Sequence, residues 1–263
     1  GVSDPWLDYQ ISAAKAIRES LSNIILEKQK LKIDRLNEQL LEAHDELELF
    51  SQGLSHDLKA PLRGIDGYAH ILKEDHYNSL EKPGQQAVDT ILSSTREMQE
   101  LIDNILSFAG VSGQSLDKGI FSVNHQVEDI LQSFNIKSNY PKTRIIMDKD
   151  LPRMMADKRM ITQVWSNLIT NALKYSEKEE APEIEIGARG IEGKTTYYVK
   201  DNGIGFDPRH KEDIFNLFSR FSGDGYKGTG IGLAIVKKII EKHNGRIWAE
   251  SEAGKGSIFY FHV

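Results

Sequence analysis

Apolar positions in the first half of the chain recur at helical spacing. No glycine or proline interrupts the stretch from Trp6 to Gly53, which predicts one very long helix. Asp4 and Pro5 supply an N-cap followed by a proline at the first helical position. Between Leu26 and Leu54 a seam can be followed through Gln29, Ile33, Leu36, Leu40, Ala43, Leu47 and Phe50. Its steps alternate three and four residues, which is a heptad repeat. Glu27, Lys28, Lys30, Glu38, Glu42 and Asp45 occupy the other faces. The natural reading is a parallel dimeric coiled coil; the alternative is a long helix folded back on its own bundle, and Gln29 in the seam fits either.

The helical period continues past Pro61 through Leu62, Ile65, Tyr68, Ala69 and Leu72. Proline lacks the N–H for the bond to residue 57 and its ring crowds that carbonyl, so a kink is expected there. A turn is predicted around Asn78 to Gly84, then a second amphipathic helix over 85–109, with Ile91, Met98, Leu101, Ile102, Ile105 and Phe108 facing inward. A single hairpin cannot cover both apolar faces, but two hairpins pairing as a four-helix bundle do. Residues 110–115, Gly-Val-Ser-Gly-Gln-Ser, read as a linker.

Beyond the linker the period changes to a mixture of strand and helix. Strands are predicted at 120–123, 144–147, 183–188, 195–200, 246–251 and 257–262. Helices are predicted after an Asn124 cap, over 158–175, and over 231–243 with Asn244-Gly245 as the stop. Residues 203–230 are glycine-rich and irregular. The elements do not alternate regularly as βα units, so a layered α/β sandwich is expected and not a doubly wound sheet.

Composition narrows the function classes. The 263 residues suffice for two ordinary domains, and 39% apolar residues allow a true core. A net charge of −6 with no long basic block argues against nucleic acid or an anionic membrane as the main partner. With no cysteine there is no disulfide, thiolate nucleophile or cysteine zinc site, and the eight histidines show no paired ligand spacing. No apolar run approaches the ~20 residues of a membrane span. No secretory leader is visible, and a start at Gly1 in place of Met leaves a fragment as one reading of the chain.

Five stretches carry candidate chemistry. Ser55-His56-Asp57-Leu58-Lys59-Ala60-Pro61-Leu62 sets one histidine in a helix beside an acid. In the second half, Asn167, Asn171 and Lys174 fall at i, i+4 and i+7 and share one helix face, followed by Tyr175. Carboxamide oxygens suit Mg²⁺, and a lysine one turn on can meet phosphate charge, although an amphipathic helix with a polar face explains the pattern equally. Asp201-Asn202-Gly203-Ile204-Gly205 follows a strand; its carboxylate is placed to accept a hydrogen bond from an adenine amino group, or the run is an ordinary turn. Phe215, Phe218, Arg220 and Phe221 suit either a lid anchor or core packing. Gly228-Thr229-Gly230-Ile231-Gly232-Leu233 opens a helix, where free amides and close backbone approach make a phosphate site.

Taken together and in this order, the five stretches resemble the H, N, G1, F and G2 boxes of the sensor histidine kinases of two-component signalling. Residues 51–109 resemble the dimerisation and phosphoacceptor domain, and 118–263 the ATP-binding domain of the Bergerat fold shared with gyrase, Hsp90 and MutL. The segment 4–30 resembles the helix that leaves a phytochrome sensor. The resemblance implies a multidomain α and α+β protein: a signalling helix at 1–50, the hairpin at 51–109, a linker at 110–117 and a two-layer α/β sandwich at 118–263. It implies that His56 accepts the γ-phosphoryl group of ATP while Asp57 orients the imidazole or takes its proton. Asn171 matches the Mg²⁺ ligand, with Asn167 and Lys174 beside the phosphates and Tyr175 stacked on the nucleotide. Asp201, Gly203 and Gly205 match the adenine site; Arg220, Gly228, Thr229, Gly230, Gly232 and Leu233 match the lid and phosphate loop. The implied partners are a second copy of the chain and the receiver domain of a response regulator, working in the cytoplasm, with the sensor domain upstream of this chain.

One position departs from the family. Many members carry Thr or Asn four residues after the histidine, where it holds the water that dephosphorylates the regulator; here Ala60 has no such group, so weak phosphatase activity is expected. Two other classes compete: an adaptor that binds ATP without phosphorylating itself, and an ATP-driven clamp. His56, Asn171 and the glycine loop are intact against the first, and the His56 hairpin and heptad seam stand against the second. Gly193-Lys194-Thr195 resembles a P-loop, but Ala188 occupies the earlier glycine position, and no HRD or DFG sequence occurs.

Overall fold

The structure, a computed structural model, describes residues 8–113, 115–219 and 228–263, with side chains other than those at 8, 11, 40–52 and 54–56. The expected Asp4-Pro5 helix start lies outside the described residues. The chain divides into two compact units, Gly1–Leu49 and Phe50–Val263. Helix α1 spans Asp8–Ile71. In the first unit the seam residues Leu26, Ile33 and Leu36 are solvent-exposed in the single chain.

In the second unit α1 continues through Pro61. A π-helical turn at Leu72–His76 and a 3₁₀ turn at Tyr77–Ser79 then lead into α2, Lys82–Gly113. The hairpin is tied where the helices meet: Asp89 accepts hydrogen bonds from Tyr77 Oη at 2.7 Å and Lys73 Nζ at 2.8 Å. Gln85 Nε2 closes the turn on the Tyr77 carbonyl at 3.0 Å.

The hairpin corrects the sequence reading at two places. Helix α2 starts at Lys82 and not near Gln85, because Pro83 sits in a first turn whose N–H groups lack helical partners anyway. It runs through most of the expected linker, to Gly113. Val111 is buried there in the core of the α/β domain, and two lysines of a later helix hold the last carbonyls. Lys238 Nζ donates to Phe108 O at 2.7 Å, and Lys242 Nζ to Val111 O and Ser112 O at 2.5 and 2.7 Å. Two ammonium groups thus cap the last turn of α2, favourably oriented for the helix dipole. Within the single chain Val88, Leu92 and Ile102 carry the buried stripe, while Ile91, Met98 and Ile105, expected to face inward once two hairpins pair, are exposed. With Leu58, Ile65 and Leu72 the exposed set forms an apolar surface that the described residues of one chain leave uncovered.

The α/β domain is built on a five-stranded sheet. Its strands are β2 (Arg144–Met147), β4 (Glu183–Ile191), β5 (Lys194–Asp201), β7 (Gly256–His262) and β6 (Arg246–Glu252), in that spatial order. Only β2 and β4 run parallel. A second, two-stranded sheet pairs β1 (Lys118–Phe121) with β3 (Met154–Asp157). Helices α3 (Val123–Ser133), α5 (Lys158–Ser176) and α6 (Gly232–Lys242) make the other layer, with a single turn α4 (Ile136–Asn139) between α3 and β2. Alternate strand residues Ile184, Ile186, Val199, Phe259 and Phe261 are buried with Trp165, Leu168 and Ile169 of α5 and Ile235 and Ile239 of α6. Trp165 and Phe261 meet edge to face, ring centroids 5.0 Å apart.

Two details differ from the sequence reading. Ser122, not Asn124, caps α3; Asn124 instead fastens the loop before β3, accepting from Leu151 N at 3.0 Å and donating to Asp148 O at 2.9 Å. Strand β3 was not anticipated, since its four residues show no alternation long enough to read. Asp157 at its end caps α5, accepting from Arg159 N and Met160 N, while its own N–H donates to the buried His243 Nε2 at 3.1 Å.

Candidate nucleotide site

Helix α5 presents its apolar stripe to the sheet and leaves Asn167, Asn171 and Lys174 along the wall of a cleft of about 280 Å³. The facing wall is the glycine loop before α6. Gly228, Thr229, Gly230, Gly232 and Leu233 all line the cleft, as does Tyr175 at the end of α5. The structure therefore brings together nine of the positions singled out in the sequence.

Local contacts explain the residue types. A Cβ at Gly232 would lie 2.6 Å from Asn167 Oδ1, so glycine lets the start of α6 approach α5 without displacing that side chain. Asn167 is oriented by donating through Nδ2 to Gln163 O at 2.9 Å. Lys174 Nζ lies beside Gly228, 3.2 Å from Tyr175 Oη and 4.5 Å from the Tyr175 ring centroid. Helix α6 starts at Gly232 without a side-chain cap, leaving first-turn amides available to an anion.

Asp201, Gly203 and Gly205 do not line the cleft itself. Asp201 ends β5, is 4% exposed, and accepts hydrogen bonds from the backbone N–H groups of Gly203, at 2.9 Å, and Ser257. Burial pushes its carboxyl up to about 6 against the pull of those two donors. The turn that follows lies against α5: Ile204 N donates to Tyr175 O at 3.2 Å, and a Cβ at Gly203 would be 2.3 Å from that same carbonyl. Asp201 is thus fixed just behind the Tyr175 end of the cleft. Arg220 lies outside the described residues. His56 belongs to α1, and its side chain is not among those described; Asp57 beside it is exposed.

The sequence reading missed the third wall. Glu100 and Asn104, one helical turn apart on α2, also line the cleft. Asn104 Nδ2 donates to Thr229 Oγ1 at 3.1 Å, and Gln163 Nε2 donates to Ser107 Oγ. Nothing in the spacing of α2 marks these polar residues as facing side chains 56 and 125 positions further along the chain; only the docking of α2 on α6 reveals it.

Two family profiles match the chain. The His Kinase A (phospho-acceptor) domain matches residues 46–111, and the histidine kinase-, DNA gyrase B-, and HSP90-like ATPase matches 156–263. The chain belongs to the sensor histidine kinases. It is 39% identical over 267 residues to cyanobacterial phytochrome B of Nostoc sp. (strain PCC 7120), covering 98% of this chain and 35% of that protein. It is 30% identical over 223 residues to the sensor protein kinase WalK of Staphylococcus aureus, covering 80% of this chain and 52% of that one. Among solved structures, full-length ShkA in complex with AMPPNP superposes with a TM-score of 0.62 at 25% identity, covering 80% of this chain and 44% of that one. The chain spans about a third of the length of the phytochromes it matches. The long helix, the hairpin and the α/β sandwich expected from the sequence agree with this family. No helix among the described residues is long and apolar enough to cross a membrane.

Proposed function

We propose that this kinase module binds ATP in the α5–glycine-loop cleft, phosphorylates His56, and passes the phosphoryl group to an aspartate of a response-regulator receiver domain. The carrying observation is the cleft itself, with two carboxamides and a lysine on α5 facing the open amides of the α6 start. The domain division read from the sequence, a signalling helix at 1–50, a hairpin at 51–109 and an ATP-binding domain at 118–263, accompanies this reading, with the linker shortened by the helical residues to 113.

In this reading Asp201 accepts a hydrogen bond from the adenine amino group and Gly203 and Gly205 let the base approach, while Tyr175 stacks on the nucleotide. Lys174, Thr229 and the amides of Gly228, Gly230, Gly232 and Leu233 hold the polyphosphate, and Arg220 belongs to the lid. The oxygen-rich face of Asn167 and Asn171, opposite a glycine whose Cβ would fill the space at Asn167, fits a hard cation, with Asn171 as its ligand. Held there, Mg²⁺ would neutralise polyphosphate charge. At the hairpin an imidazole nitrogen of His56 attacks the γ-phosphorus, the bond to the ADP oxygen breaks, and Asp57 takes the imidazole proton. Positioning and charge stabilisation supply most of the acceleration.

The apolar surface of Ile65, Leu72, Ile91, Met98 and Ile105 supports a homodimer closed as a four-helix bundle. Ala60 supports weak phosphatase activity, and a cytoplasmic location accords with the reaction. Calorimetric titration with Mg²⁺ and ATP tests the site: binding to the intact chain that is abolished in Asn171→Ala supports it, and unchanged binding in that variant contradicts it.

A further inference from the structure

Helix α2 belongs to the hairpin, yet it touches both walls of the nucleotide cleft. On the loop side Asn104 Nδ2 donates to Thr229 Oγ1 at 3.1 Å. On the helix side Ser107 Oγ accepts from Gln163, whose carbonyl accepts from Asn167, whose own oxygen lies against Gly232. The two arms leave α2 three residues apart and meet across the cleft. Further along, Lys238 and Lys242 bind the last carbonyls of α2, with Lys238 Nζ also 4.2 Å from the Phe108 ring centroid, so α6 is fastened to α2 while its opposite end begins the phosphate loop.

We propose that Asn104 is a positioning residue of the nucleotide site: through Thr229 it holds the glycine loop in its binding shape, making ATP affinity depend on the docking of α2. The inference rests on the nucleotide reading above and adds to it a hairpin residue that no glycine-loop motif contains. The loop has a physical need for such a support. Gly228 and Gly230 both have positive φ, 153° and 70°, so the segment is free to take many other shapes when nothing holds it. An external hydrogen bond that selects one shape lowers the ordering cost of binding. Asn104 is half-buried and reaches Thr229 directly, so its effect is transmitted to the loop without a change in the loop's own sequence.

A double-mutant cycle on the intact chain tests this, read as the dissociation constant for a non-hydrolysable ATP analogue with Mg²⁺. Asn104→Ala and Thr229→Val are each expected to weaken binding about twofold to tenfold, the range of one net hydrogen bond. The double variant is expected to bind no more weakly than Thr229→Val alone, and Thr229→Ser, which keeps the hydroxyl, is expected to bind like the starting protein. Thermal unfolding without nucleotide checks that each variant is folded. Multiplying losses in the double variant, or unchanged or tighter binding in Asn104→Ala, overturns the proposal. Absence of analogue binding to the unaltered chain overturns the nucleotide reading instead, so the two failures are distinguishable.

Discussion

Asp201 holds a charge that the apo fold bears at a cost. With its carboxyl raised from 3.8 to about 6 by burial, keeping it ionised at neutral pH costs about 3 kcal/mol. The sign follows from proton binding: the folded chain holds this proton more tightly than the unfolded one. Stability is therefore greatest below pH 3.8 as far as this group is concerned, and is lost as pH rises through about 6. Asp201→Asn removes the charge and keeps an oxygen for the Gly203 N–H group. Its new amide donor lacks a partner in the apo protein, which takes back about 1–2 kcal/mol. The variant should thus be about 1–2 kcal/mol more stable than the parent at pH 7.5 without nucleotide, and the advantage should shrink toward pH 5. Urea unfolding followed by Trp165 fluorescence measures it, since that indole lies in the core beneath the same sheet. Nucleotide binding should move the other way. In the proposed reading a charge-assisted hydrogen bond to adenine is lost, so affinity should fall about tenfold or more. In the parent chain affinity should fall about tenfold for each pH unit below 6, because the nucleotide selects the ionised carboxylate. A variant less stable than the parent at pH 7.5, or a stability gap unaffected by pH, would refute the reasoning.

Three further predictions concern other parts of the chain. Ala60→Thr should raise dephosphorylation of a phosphorylated receiver domain several-fold without changing ATP affinity; an unchanged rate in the phosphate-release assay counts against the role given to this position. Ile91→Glu places a charge on the exposed apolar face of the hairpin and should shift a dimer toward monomer in sedimentation at micromolar concentration, whereas an unaltered dimer means another surface closes it. Lys242→Met removes the ammonium that caps the last turn of α2, which should cost about 1–2 kcal/mol locally and speed amide hydrogen exchange near residues 108–113; unchanged exchange would show the cap to be incidental.

Much of this architecture was legible because its signals are local. The heptad steps from Leu26, the i, i+4, i+7 spacing of Asn167, Asn171 and Lys174, and the glycines ahead of α6 each announce an element and a face within a dozen residues. What could not be read depends on tertiary contact. Gly110 and Gly113 look like linker residues, and only burial of Val111 and the two lysines of α6 keep that segment helical. Asn124 looks like a cap, but Ser122 stands one residue before the helix and Asn124 is drawn to the loop at 148–151. Asn104 and Glu100 read as the solvated face of an amphipathic helix until α2 is laid across the cleft. The exposed Ile91, Met98 and Ile105 show the converse: the apolar pattern is visible in the sequence, but one chain does not contain what covers it.

The central claim is that the γ-phosphoryl group passes from the cleft to His56. Incubation with γ-labelled ATP and Mg²⁺, followed by acid and alkali treatment of the protein, tests it most directly alongside His56→Ala and Asn171→Ala. The account predicts an acid-labile, alkali-stable label on the unaltered chain that both substitutions abolish. Label that persists in His56→Ala, or label on the unaltered chain that resists acid, would contradict it.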